Sequence, residues 1–139
     1  MLVYATPDDL MDGWLDEPPE TAEALRLIRA ASRLVRKATR CDLYHVDPSG
    51  LPTDPDIIEV MCDATCAHAA MWKRAGIDPD AGTAGRQIAI KAQTADGGAV
   101  TYADGPSAAE ISASLSRLST QALDILREAG MASTRPQTW

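Results

Sequence analysis

The residues with chemical potential are few. His45 and His68 are the only histidines of the chain, and Cys41, Cys62 and Cys66 its only cysteines. No Ser/His/Asp or Cys/His order supplies a nucleophile, a base and a group to orient the base. Cys62 and Cys66, four residues apart on a helix, offer two metal ligands that His68 or Cys41 would complete. A helical wheel opposes this. Both thiols fall on the apolar arc with Ile58 and Ala69, whereas His68 points more than about 100° from the nearer cysteine. Packing as small hydrophobes is the expected role of the thiols. Asp54, Asp56, Glu59 and Asp63 form a run of carboxylates, but the first of them are what a helix N-terminus favours, so capping is expected over calcium. Gly82-Thr83-Ala84-Gly85 lacks the lysine and hydroxyl residue of a phosphate-binding loop. The expectation is a non-enzyme without catalytic residue, metal or cofactor.

Charge is more informative. The net charge is −7, from 13 basic and 20 acidic residues, which opposes a uniformly basic nucleic-acid binder. The distribution is uneven. Residues 1–25 hold seven acids (Asp8, Asp9, Asp12, Asp16, Glu17, Glu20, Glu23) and no base; residues 26–40 hold six bases (Arg26, Arg29, Arg33, Arg36, Lys37, Arg40) and no acid. The 3.6-residue period places all six bases within about 100° of one helix face. Three readings stay open: a solvated face partly neutralised by the acidic segment folding back, contact with nucleic-acid phosphates, or assembly, in which unlike patches on one chain pair between neighbours.

The elements that carry these residues are mainly helical. A chain of 139 residues suits one domain, and 24 alanines with no phenylalanine imply close-packed helices around a small aliphatic core. The first residues lack a basic segment followed by a long apolar run, and no 18-residue apolar stretch exists, so neither a signal peptide nor a membrane span is expected. The cysteine count and spacing suit a reducing compartment. Thr6 before Pro7, Asp8 and Asp9 starts a short helix running to about Leu15. Pro18 and Pro19 break it, and a helix over residues 21–40 follows, with Ala24, Leu27, Ile28, Ala31, Leu34, Val35 and Ala38 on its core side. Asp47-Pro48-Ser49-Gly50 marks a turn in a linker anchored by Leu43, Tyr44, Val46 and Leu51. Thr53 or Asp54 caps a third helix that Gly76 stops, its buried face being Ile58, Met61, Cys62, Thr65, Cys66, Ala69 and Trp72. Alternation around Asp96-Gly97-Gly98 predicts a β-hairpin at about 86–103. The last long helix runs from Ser107 to Gly130 on the stripe Ile111, Leu115, Leu118, Ala122, Ile125, Leu126 and Ala129. The expected fold is thus three long amphipathic helices, a short N-terminal helix and a hairpin insertion, forming a domain over 1–130, with a tail over 131–139. A polar tail ending in Trp139 suits docking to a partner through Arg135, Pro136 and Trp139; the alternative is a tail folded on its own domain.

In arrangement and local wording the chain resembles the head-to-tail connector, or adaptor, proteins of long-tailed bacteriophages. The resemblance rests on Tyr4-Ala5-Thr6-Pro7-Asp8-Asp9-Leu10, on the helix from Leu27 to Arg36, and on Val46-Asp47-Pro48-Ser49-Gly50-Leu51-Pro52. It continues through the stretch from Ala67 to Pro79 that contains Met71-Trp72-Lys73-Arg74-Ala75-Gly76, and through the final helix ending Leu126-Arg127-Glu128-Ala129-Gly130-Met131. The chain departs from that family at His68, near which relatives carry Gln, and at Gly85-Arg86-Gln87-Ile88, where they carry a Ser-Ile-Gly stretch. The resemblance implies a structural virion protein of the neck, a ring of typically twelve subunits beneath the portal. The C-terminal segment would grip the portal, a stopper or tail-terminator protein would bind the other end, and DNA would pass through the lumen. A lumen lined by all six bases would hold DNA steeply and salt-dependently, which suits a conduit badly. The bases are therefore expected at subunit or portal contacts. The alternative is a small nucleic-acid-binding protein using the basic face of helix 21–40.

Overall fold

The computed structural model describes residues 2–81 and 108–138. They form α1 (Pro7–Leu10), α2 (Thr21–Ala38), α3 (Pro55–Ala75), a 3-10 turn (Pro79–Ala81), α4 (Ala108–Ser114) and α5 (Thr120–Glu128). The architecture is mainly α. The hairpin expected at about 86–103 lies outside the described residues. Among the described residues no helix is long and apolar enough to cross a membrane.

Local chemistry explains most boundaries. The Asp9 carboxylate accepts from the Thr6 amide at 2.7 Å and from the Thr6 hydroxyl at 3.0 Å, which fixes the start of α1. That helix stops at Leu10, earlier than Leu15, because Gly13 adopts φ +91° and turns the chain. The Asp54 side chain accepts from the Asp56 amide at 2.9 Å, Pro55 follows it, and Gly76 ends α3 at φ +70°, a left-handed conformation that glycine adopts without steric cost. In the linker, Asp47 accepts from the Ser49 amide (2.9 Å) and the Leu51 amide (3.1 Å). An antiparallel bridge then joins Val46 to Pro52. The expected turn is present, but Leu43 and Val46 are exposed rather than anchoring; Tyr44 and Leu51 pack on the core instead.

The core lies between α2 and α3 and between α3 and α5. Ala24 and Ala31 of α2 and Ala64, Ala67, Ala69 and Ala70 of α3 are buried, and side chains this small let helices approach closely. Ser32 is buried too, because its hydroxyl accepts from the Tyr4 amide at 3.2 Å and so pins the N-terminal segment to α2. The buried hydroxyls of Thr39 and Thr65 donate back to Val35 O (3.0 Å) and Met61 O (2.8 Å). On α3 the expected arc needs correction: Ile58 is 45% exposed, whereas His68 is fully buried.

That histidine accounts for the second correction, since the expected third long helix is two helices. Between them Ser114 donates to Ile111 O at 2.7 Å, Ser116 to Ala113 O at 3.2 Å, and Ser119 turns extended to cap α5 by accepting from the Ala122 amide at 3.3 Å. Serines compete with the helix ladder in this way. His68 Nδ1 accepts from the Ser119 amide at 3.0 Å, and Nε2 lies 2.9 Å from Ser114 O. The first bond requires a bare Nδ1, so the proton sits on Nε2 and is donated to the carbonyl. Trp72, in edge contact with the imidazole at 4.3 Å between centroids, donates from Nε1 to Ser114 Oγ at 3.1 Å. Of the expected stripe, Ile111, Leu118, Ala122 and Leu126 are buried, Leu115 and Ile125 half-buried, and Ala129 exposed.

Burial pushes the His68 pKa down from 6.5 to about 4, against the hydrogen bond to Ser114. Between these values the unfolded chain binds more protons than the folded one. The resulting stability is complete above pH 6.5 and is lost as pH falls through 4, amounting to roughly 3 kcal/mol. Denaturant titrations from pH 7 to 4.5 should show that decline, and His68→Ala should flatten it while lowering stability at pH 7 by about 3 kcal/mol through the cavity and two stranded backbone groups.

Candidate functional site

Five of the six bases lie on α2, on the side opposite its buried residues, and Arg40 lies just past its end; all six are exposed. The fold divides them. Lys37 Nζ donates to Ser116 O at 3.0 Å, which ties α2 to the α4–α5 break. Arg36 lies beside Tyr4: burial pushes that phenol up to about 12, and the Arg36 charge pulls against the rise. Arg26 borders a pocket shared with Glu23, Lys73 and Asp78. Arg26, Arg29, Arg33, Arg36 and Arg40 make no hydrogen bond or ion pair among the described residues. Arg29 and Arg33 lie about 40° apart around the helix axis, and Arg40 follows just past the end of α2 at Ala38.

The acidic block does not fold back onto these arginines. Glu23, its acid nearest to them in sequence, is taken by Lys73 of α3, with Nζ 2.9 Å and 3.0 Å from its two carboxylate oxygens. The pair is about a third exposed, so it contributes at most about 1 kcal/mol. α1 packs on α3, and Asp9 and Asp12 join Glu59 and Asp63 there. Partial burial raises the Asp63 pKa, and the charges of Glu59, Asp12 and Asp9 raise it further. An acidic patch therefore draws on both the N-terminal block and α3, and sequence reading missed its second half. It weighs the run Asp54, Asp56, Glu59 and Asp63 only as helix capping, for its first members, against calcium, although the i, i+4 spacing of Glu59 and Asp63 is a signal that they share a face.

The tail is partly committed to its own domain. Asp42 accepts from the amides of Ala132 (2.7 Å) and Ser133 (2.9 Å), and the Gln137 amide donates to Cys41 O at 2.9 Å. The Gln137 side chain accepts from the Leu43 amide at 2.7 Å and donates to Ser133 Oγ at 2.7 Å. Ala132 is held at φ +58°, a strained conformation for a residue with a Cβ, which the Asp42 clamp offsets. Arg135 and Pro136 stand exposed between these attachments, and Trp139 lies outside the described residues. Nothing in sequence spacing pointed to Asp42, which sits 90 residues from its partner.

No group of three or more His, Cys, Asp and Glu able to hold a metal exists among the described residues. Cys66 is buried, and a hydrogen bond with Cys62 together with burial pushes its thiol pKa upward. His68 spends both ring nitrogens on the backbone of the α4–α5 break. What the surface can do is bind: guanidinium groups on and just past α2 without a partner among the described residues, carboxylates gathered at the N-terminal segment and α3, and a tethered tail.

Asp42→Ala should release the tail at a cost of about 1–3 kcal/mol. Amide exchange at residues 131–137 should then quicken well beyond that of α2 and α3. Comparison with protein-family models, curated proteins and solved structures yields no match.

Proposed function

We propose that this chain is a structural protein of the phage neck, a head-to-tail adaptor that assembles into a ring, joins the portal to the stopper or tail protein, and leaves a channel for DNA. It resides in the virion and catalyses no reaction. The ring has twelve subunits if it follows the family that the sequence resembles. The observation that carries this reading is the separation of charge on the folded surface: Arg29 and Arg33 on α2 and Arg40 just past its end have no partner among the described residues, while the charges of Asp9, Asp12 and Glu59 bear together on Asp63. Separated unlike patches suit a head-to-tail contact, in which each subunit offers two different faces. The anchored tail supports the reading further, since it presents Arg135 and Pro136 from a fixed base at Asp42. Individual rim ion pairs add only about 0–1 kcal/mol, so apolar contacts must supply most of the cohesion.

The same arginines also suit a second reading, binding to nucleic-acid phosphates, which the overall charge of −7 opposes. Native mass measurement of the chain alone and mixed with its portal protein distinguishes them. A closed multimer that joins the portal is expected, with weak DNA binding at physiological salt. A persistent monomer without portal affinity would overturn the adaptor reading, and tight DNA binding by that monomer would establish the second. Truncation after Gly130 should reduce portal joining more than it reduces helical content.

A further inference from the structure

We propose that Arg29 and Arg33 on the outer face of α2, with Arg40 just past its end, dock on the Asp9–Asp12–Glu59–Asp63 patch of a second copy of this chain. This deepens the adaptor reading by naming the two faces of the subunit contact, and it rests on that reading. Three features of the surface favour a second copy as the occupant. Within one chain the two patches do not meet: Glu23 is occupied by Lys73, and the three arginines have no described partner. Among the described residues each patch lacks a countercharge that the other carries on the same molecule, so two copies complement each other without a third component. Each is also flanked by an exposed aliphatic side chain, an exception in a chain whose large apolar residues are mostly covered. Leu25, 40% exposed, precedes Arg29 by one helical turn, and Ile58, 45% exposed, adjoins Glu59.

Ile58 lines a groove of about 280 Å³ with Val3, Leu51 and Pro52. In this pairing Leu25, the exposed large aliphatic side chain of α2, enters that groove from the docking copy. Salt bridges at such a rim set register and steer encounter, while the buried aliphatic contact supplies affinity. The contact joins unlike faces, so it propagates from copy to copy until the rotation closes a ring.

Charge exchange in the full-length chain tests this. R29E/R33E leaves a copy with two acidic faces, and E59R/D63R leaves one with two basic faces. Each alone should self-associate about tenfold or more weakly than wild type in sedimentation, as expected if several rim pairs turn repulsive. An equimolar mixture of the two should assemble again, and so should the single chain carrying all four changes, which also establishes that the substituted surfaces fold. Wild-type assembly by E59R/D63R, or no recovery on mixing, would overturn the pairing while leaving the adaptor reading intact. A wild-type chain that never self-associates would overturn both.

Discussion

The buried imidazole of His68 organises the C-terminal half of the described fold. Sequence periodicity runs unbroken from Ile111 to Ala129, yet the chain turns in the middle of it. His68 offers one donor and one acceptor on a rigid ring, and the backbone on either side of the turn supplies the opposite groups, Ser114 O at 2.9 Å and the Ser119 amide at 3.0 Å. Trp72 closes the same corner through Ser114 Oγ. Leaving such groups unpaired in the core costs more than a typical hydrogen bond returns. The turn, the neutral tautomer and the packing of α5 on α3 therefore stand or fall together.

The second constraint is the division of α2. Its buried side is committed to α3 and to the N-terminal segment, with even Ser32 consumed by the Tyr4 amide. Its outer side is committed only in part. Lys37 is spent on the α4–α5 break, so the same corner that His68 organises also selects which bases remain for a partner. Stability and recognition are thereby apportioned on one helix, and the free bases are set by what folding leaves over. The surface carboxylates follow the same logic: Glu23 pairs with Lys73 and Asp9 caps α1 within the fold, whereas Asp63 is left beside the like charges of Glu59, Asp12 and Asp9, which raise its pKa.

Much of this was legible in the residues, but unevenly. Thr6 with Asp9, Asp54 with Pro55, Gly76, and the Asp47 turn are local devices whose partners lie within four residues, and each boundary they imply is close to the one observed. The buried arc of α2 was legible because one amphipathic period fills the helix. The arc of α3 was not, since α3 is covered on several sides and its alanines and His68 carry no one-sided pattern. The arrangement at Glu59 and Asp63 was half legible: their spacing put them on one face, but the proximity of Asp9 and Asp12 came from packing of α1 on α3.

By itself, the sequence determined the helical class, the caps of α1 and α3, the stop of α3 at Gly76, and the concentration of bases on one face of α2. These depend on interactions within a few turns of chain. Tertiary structure alone decided that the last helix is broken, that the tail is clamped by Asp42 across 90 residues, and that Lys37, alone of the six bases, finds a hydrogen-bond partner among the described residues. The reason is that hydrogen-bond satisfaction is settled across the whole fold. A donor or acceptor finds its partner at whatever sequence distance the core brings the two together, and local periodicity carries no record of that distance.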